Sequence, residues 1–139
     1  MIHQATRQLE RAFRAENFKF TLDQVNDSSE IEARFDGDNV KNIAVRFISH
    51  DEDNDVSVRA YSIVNVQPSK KAAVMIAVNE LNNQYRYVKF TLDGDNDVNA
   101  EYDLPVRCDN PGPVCTEMFV HFMKIIDKAY PTLMQAIWG

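Results

Sequence analysis

The chain has 139 residues, 45% hydrophobic and 26% charged, with only four glycines and five prolines. That is the make-up of one globular domain, which buries a core without disulfides or a structural metal. A formal charge of −6 repels phosphate backbones and argues against nucleic acid as the main partner.

Ile2, Ala5, Leu9, Ala12 and Phe13 recur at helical spacing, so a first amphipathic helix is expected over roughly residues 1 to 15, with Arg7, Arg11 and Arg14 on its other side. The period then changes to two. Phe18, Phe20 and Leu22 mark one strand, Ile31, Ala33 and Phe35 a second, and Ile43, Val45 and Phe47 a third. Val56, Val58, Ala60, Ser62, Val64 and Val66 share one face of a longer fourth strand, while Tyr61 and Ile63 make its other face apolar. Acidic turns separate the strands at residues 36–39, 51–55 and 93–97, and the Asp-Gly steps predict hairpins with glycine at positive φ.

Pro68 and Ser69 open a second helix that ends near Asn83. Ala73, Ile76, Ala77, Glu80 and Leu81 define one stripe, and Val74, Met75 and Val78 add apolar surface beside it, so burial on two sides is expected, either inside one domain or against a second subunit. Val88, Phe90 and Leu92, then Val98, Ala100, Tyr102 and Leu104, give two more strands. After the loop at residues 109–113, Pro113 starts a last helix carrying Met118, Phe119, Phe122, Ile125, Ile126 and Ala129, and Pro131 is expected to kink or break it. The order α-β-β-β-β-α-β-β-α reads as α+β, an antiparallel sheet flanked by helices in a single domain, residues 1–139. The longest apolar run, residues 72–78, is far short of the ~20 residues of a membrane span. The opening residues carry no apolar core of signal-peptide length, so a cytoplasmic protein is expected.

One stretch has a more particular pattern. Asn79 and Asn82 end the second helix, Arg86, Lys89 and Phe90 lead into a strand, and Asp93 and Asp97 bracket an acidic turn before Val98 and Leu104. This resembles the YbjN-like family, bacterial proteins described as sensory-transduction regulators, whose fold is that of the type III secretion chaperones. Tyr130, Pro131 and Trp138 are similar to that family's C-terminus. The resemblance implies helices around an antiparallel sheet, a frequent dimer and a binding role. It implies no substrate, cofactor or catalytic residue.

The residues themselves carry little chemistry. Asp51, Asp53 and Asp55, and Asp93, Asp95 and Asp97, alternate as calcium ligands do. An EF-hand loop begun at Asp93 needs glycine sixth and glutamate twelfth and finds Val98 and Leu104; begun at Asp51 it finds Val56 and Ser62. Solvated hairpin turns are the plain reading, and a small-ligand or cation sensor is the alternative. Cys108 and Cys115 lack Cys-x-x-Cys spacing, although Cys115 near a helix N-terminus is where a thiolate is favoured. His3, His50 and His121 are scattered, and no glycine-rich phosphate loop is present.

The function expected is therefore a non-enzymatic protein-binding module, chaperone-like or a regulatory adaptor, needing no cofactor and working as a homodimer. Tyr61, Ile63, Val74, Met75 and Val78 are the expected apolar contacts. Asn79, Asn82 and Arg86 are the candidate polar ones; the plainer role of the Asn79, Asn82, Asn83 and Gln84 cluster is to satisfy backbone groups at the helix end.

Overall fold

Period-two alternation and helical periodicity give the expected order of elements, although the first strand starts at Thr21, after Phe18 and Phe20, and the last helix at Pro111 in place of Pro113. The computed structural model describes residues 1–50 and 55–139. The elements run α1 (Gln4–Ala15), β1 (Thr21–Val25), β2 (Ser28–Phe35), β3 (Ile43–Ser49), β4 (Val56–Asn65), a 3-10 turn (Pro68–Lys70), α2 (Lys71–Gln84), β5 (Lys89–Leu92), β6 (Asp97–Leu104) and α3 (Pro111–Trp138). Six antiparallel strands form one sheet in the order β1-β2-β3-β4-β6-β5. α2 carries the chain from β4 to the far edge, and β6 returns between them.

The inward positions of the strands meet the helices in one core. Ile31, Val45, Phe47, Val56, Val58, Ala60, Val98 and Ala100 from the sheet pack with Leu9, Phe13, Val74, Leu81, Phe119, Phe122 and Ile126 from the helices. Phe13 is its aromatic centre, with ring centroids 5.1 to 5.8 Å from Phe18, Phe20, Phe47 and Phe119. A phenylalanine so enclosed stabilises a fold by about 3–5 kcal/mol relative to alanine.

α1 ends by a Schellman motif. Phe18 N–H donates to Phe13 C=O at 2.9 Å, Asn17 N–H to Arg14 C=O at 3.1 Å, and Asn17 takes the left-handed conformation at φ 58°. The Phe13–Phe18 ring contact supplies the apolar clasp of that motif. Asparagine takes this role repeatedly. Asn26, Asn42, Asn96 and Asn110 also have positive φ, whereas among the described residues no glycine does. The expected use of Gly37 and Gly94 as positive-φ turn residues is therefore corrected. Asparagine tolerates that region because its short polar side chain bonds locally.

Gly37 has a different reason. A Cβ there would overlap the carboxylate of Asp127 on α3. That carboxylate accepts from Asn39 N–H at 2.7 Å and Val40 N–H at 3.2 Å, tying the β2–β3 loop to α3. Gly112 likewise lets the start of α3 approach Ala12 of α1.

Three expectations about the elements change. α3 runs unbroken through Pro131. Proline withdraws the amide that would bond the Asp127 carbonyl, and the Asn39 side chain replaces it at 3.0 Å. Ser69 lies in the 3-10 turn and makes no side-chain cap, so α2 begins at Lys71. In β4 the register with β6 shifts between Ala60 and Val64, with Ser62 at φ 55°. This bulge turns Ser62 outward to solvent and Ile63 inward, so the expected Tyr61–Ile63 face is split.

Candidate functional site

α2 buries a narrow stripe, Val74, Ala77, Val78 and Leu81, at i, i+3, i+4 and i+7. Within the chain α2 is buried on one side only, because Ala73, Ile76 and Glu80 face solvent. Ala72, Met75 and Ile76 form an apolar turn on the open side, with Met75 56% and Ile76 64% exposed. Asn79 and Asn83 continue that side as a polar border.

The expected contact residues do not form one surface. Ile63, Val74 and Val78 belong to the chain's own core and are not free to meet a partner. Met75 is exposed on α2. Tyr61, 49% exposed, stands under the Arg46 guanidinium at 6.0 Å, on the sheet face away from the helices. Of the stripe expected to be buried, Ala77 and Leu81 are in the core, while Ile76 is exposed with Ala73 and Glu80.

The polar candidates divide too. Asn82 accepts from Phe90 N–H at 2.7 Å and donates to Phe90 C=O at 3.0 Å, thereby closing the outer edge of β5. It binds an extended backbone, and that backbone is its own. Asn79 and Arg86 are exposed.

The acidic turn between β5 and β6 is organised from within. One Asp93 carboxylate oxygen accepts from Asp95 N–H at 2.9 Å and Asp97 N–H at 3.0 Å, and the other from the Asn99 amide at 2.8 Å. The Asn99 bond, then the Asp97 amide, hold the Asp93 carboxyl below the usual carboxylate range. Asp97 accepts in turn from the Asn65 side chain at 2.8 Å. A cation would have to displace these donors. Asp51 and Asp53 of the other acidic turn lie outside the described residues; Asp55 is exposed. Among the described residues no group of three or more His, Cys, Asp or Glu side chains is placed to hold a metal ion.

Cys115 is buried and its thiol is pushed well up by desolvation, opposite to the effect expected of a helix N-terminus. Cys108 is exposed. His3 is buried before α1, where its ring Nε2 meets Asp27 C=O at 2.5 Å and its main-chain N–H donates to Ser29 Oγ at 3.0 Å. His50 contacts Ser28 Oγ at 3.3 Å, and His121 lines a shallow groove of about 540 Å³ with Tyr87, Met118 and Lys124. The arginines of α1 are partly neutralised. Arg7 and Arg14 both pair with Glu10, at 2.9 and 3.2 Å.

The sheet face opposite the helices is a lattice of charges. Arg46 makes a two-pronged pair with Glu30 at 2.7 and 2.9 Å; Arg59 reaches Glu101 at 3.2 Å and Asp103 at 2.9 Å; Lys89 reaches Glu101 at 3.0 Å. Among the described residues each of these cations is matched within the face.

The order of elements, the Asn82 clasp on Phe90 and the Asp93-centred turn share one structural frame. The family model described as "Putative bacterial sensory transduction regulator", YbjN, matches residues 5–133. The chain belongs to the YbjN family. Its fold is similar to the crystal structure of YbjN from E. coli, described as "a putative transcription regulator", with a TM-score of 0.63 at 16% identity over 92% of this chain and 88% of that one. At that identity the likeness is one of fold. No curated protein matches the sequence. Asn82, Phe90, Asp93 and Asp97, on which the resemblance in the sequence rests, build a helix end, a strand edge and a turn. No helix among the described residues is long and apolar enough to cross a membrane.

Proposed function

We propose that this YbjN-family chain is a non-enzymatic binding module, a regulatory adaptor or chaperone-like protein, that receives a protein segment on the open side of α2. The supporting observation is the pair Met75 and Ile76, both more than half exposed on a helix whose other side is packed into the core. Large apolar side chains on one turn, bordered by Asn79 and Asn83, have the centre-and-rim character of a protein contact. Methionine adapts its shape to different apolar partners. The family's description as regulators is consistent with such a role.

The variants Met75→Glu and Ile76→Glu test this reading. Both positions are exposed, so the thermal midpoint is expected to stay within about 2 °C of the parent, as for a surface change of ±0.5 kcal/mol. Partner binding is expected to weaken by at least about tenfold, the loss of roughly one buried apolar side chain. Unchanged binding by both variants would remove α2 as the contact.

A further inference from the structure

In an antiparallel sheet, residues alternate between turning their N–H and C=O toward one neighbour and toward the other. One known bond therefore fixes the rest. Asn82 meets the N–H and C=O of Phe90, so Phe90 faces outward, and Lys89 and Thr91 face Glu101 and Asn99 of β6. Carried through the registers of β6 with β4, β4 with β3, β3 with β2 and β2 with β1, the alternation turns Thr21, Asp23 and Val25 toward β2. Leu22 and Gln24 then direct their backbone groups away from the sheet. A separate contact agrees, since Gln24 N–H donates to the Asp23 carboxylate at 2.8 Å instead of to a strand.

The two edges of the sheet are thus unlike. α2 lies beside β5 and Asn82 occupies Phe90, closing that edge. β1 pairs with β2 alone. Among the described residues, its outward groups are met only by the exposed Asp23 side chain. An open edge is a template for a further strand.

We propose that the β1 edge pairs, antiparallel about Leu22, with the β1 edge of a second copy of this chain, joining the two sheets. The occupant follows from the strand's own sequence. Pairing about Leu22 sets Thr21 opposite Asp23, Phe20 opposite Gln24 and Lys19 opposite Val25 of the other copy. No like charges stand opposite, and Lys19 lies diagonal to Asp23, a favourable cross-strand arrangement. The neighbouring symmetrical register, about Asp23, would set two carboxylates face to face. Leu22 shares the inward face of Ile31, its partner on β2, so both copies' Leu22 side chains extend the apolar face of the joined sheet. The contact is isologous, as a two-fold dimer requires. It does not rest on the α2 reading.

Two measurements test it. Light scattering is expected to give twice the 16.0 kDa chain mass. Gln24→Pro deletes one outward N–H and no ladder bond, and loses that bond twice in the dimer, weakening association about tenfold or more. In a Cys108→Ser background, Thr21→Cys chains mixed with Asp23→Cys chains are expected to form a disulfide under mild oxidation. Those positions would face each other in a non-hydrogen-bonded pair about 4.5 Å apart at Cα, and neither variant alone is expected to cross-link. A single-copy mass at every concentration overturns the proposal. So does a dimer whose mixed cysteines do not cross-link, which would mean that the copies meet elsewhere, α2 included.

Discussion

The Asn39 side chain donates to the main-chain carbonyl of Asp127 at 3.0 Å, four residues before the proline that deprives that carbonyl of its helical donor. The same aspartate's carboxylate holds Asn39 N–H and Val40 N–H. One short loop thus repairs the helix, and the helix orders the loop. Asp127→Ala and Asn39→Ala are each expected to lower stability by about 1 kcal/mol, the net value of a partly exposed hydrogen-bonded anchor. The double variant is expected to cost less than the sum, since both changes break one network. Urea unfolding of the four proteins checks this, and strict additivity would separate the two residues.

The anchor also carries a pH dependence. The Asn39 amide, first among several donors, holds the Asp127 carboxyl below its usual range. A carboxyl lowered on folding contributes stability above its unfolded pKa of about 3.9, and loses it as pH falls through the lower folded value. The parent is therefore expected to lose stability relative to Asp127→Asn below about pH 4. Parallel denaturation curves from pH 7 down to pH 3 measure it; two proteins with the same acid slope would show that Asp127 titrates freely.

Asn17 is expected to accept glycine and to resist β-branched residues. Its φ of 58° closes α1, and a side chain without local hydrogen bonding costs about 1–2 kcal/mol in that region. Asn17→Gly should leave the thermal midpoint near that of the parent, and Asn17→Val should lower it by several degrees for a domain of this size. Equal midpoints for the two would mean the Schellman closure contributes nothing.

Thiol chemistry should separate the two cysteines. Exposed Cys108 is expected to react with an aromatic disulfide reagent at the rate of a free thiol, while buried Cys115 reacts only on unfolding, because burial both hides it and disfavours its thiolate. Two fast equivalents in the native protein would contradict this.

Calcium at about 1 mM, the range of weak extracellular sites, is expected to leave the amide resonances of residues 93–97 unmoved, since the Asp93 carboxylate already serves three donors. A saturable shift there would restore the sensor reading.

Much of the fold was legible because alternation and helical spacing are properties of single segments. Phe13 and Leu9, or Val98, Ala100 and Tyr102, announce their faces without reference to any other element. What escaped depends on a second segment. Pro131 reads as a break until Asn39, distant in sequence, supplies a donor. The bulge at Ser62 is hidden because Val64 and Val66 keep the period of Val56 and Val58. On α2, a run with few polar residues offers several stripes of equal quality, and packing selects Val74, Ala77, Val78 and Leu81. That choice moved Val74 and Val78 into the core and brought Ile76 to the surface. Asn82 was recognisable as a backbone-binding amide, but nothing local identifies Phe90 as its partner.

The open side of α2 is proposed to bind protein through Met75 and Ile76. The most direct measurement is quantitative capture from the native extract by the tagged parent chain and by tagged Ile76→Glu, with thermal midpoints recorded for both. A stoichiometric protein is expected to be retained by the parent and lost from the variant, with midpoints within about 2 °C. The same proteins captured in equal amounts by both chains would contradict it.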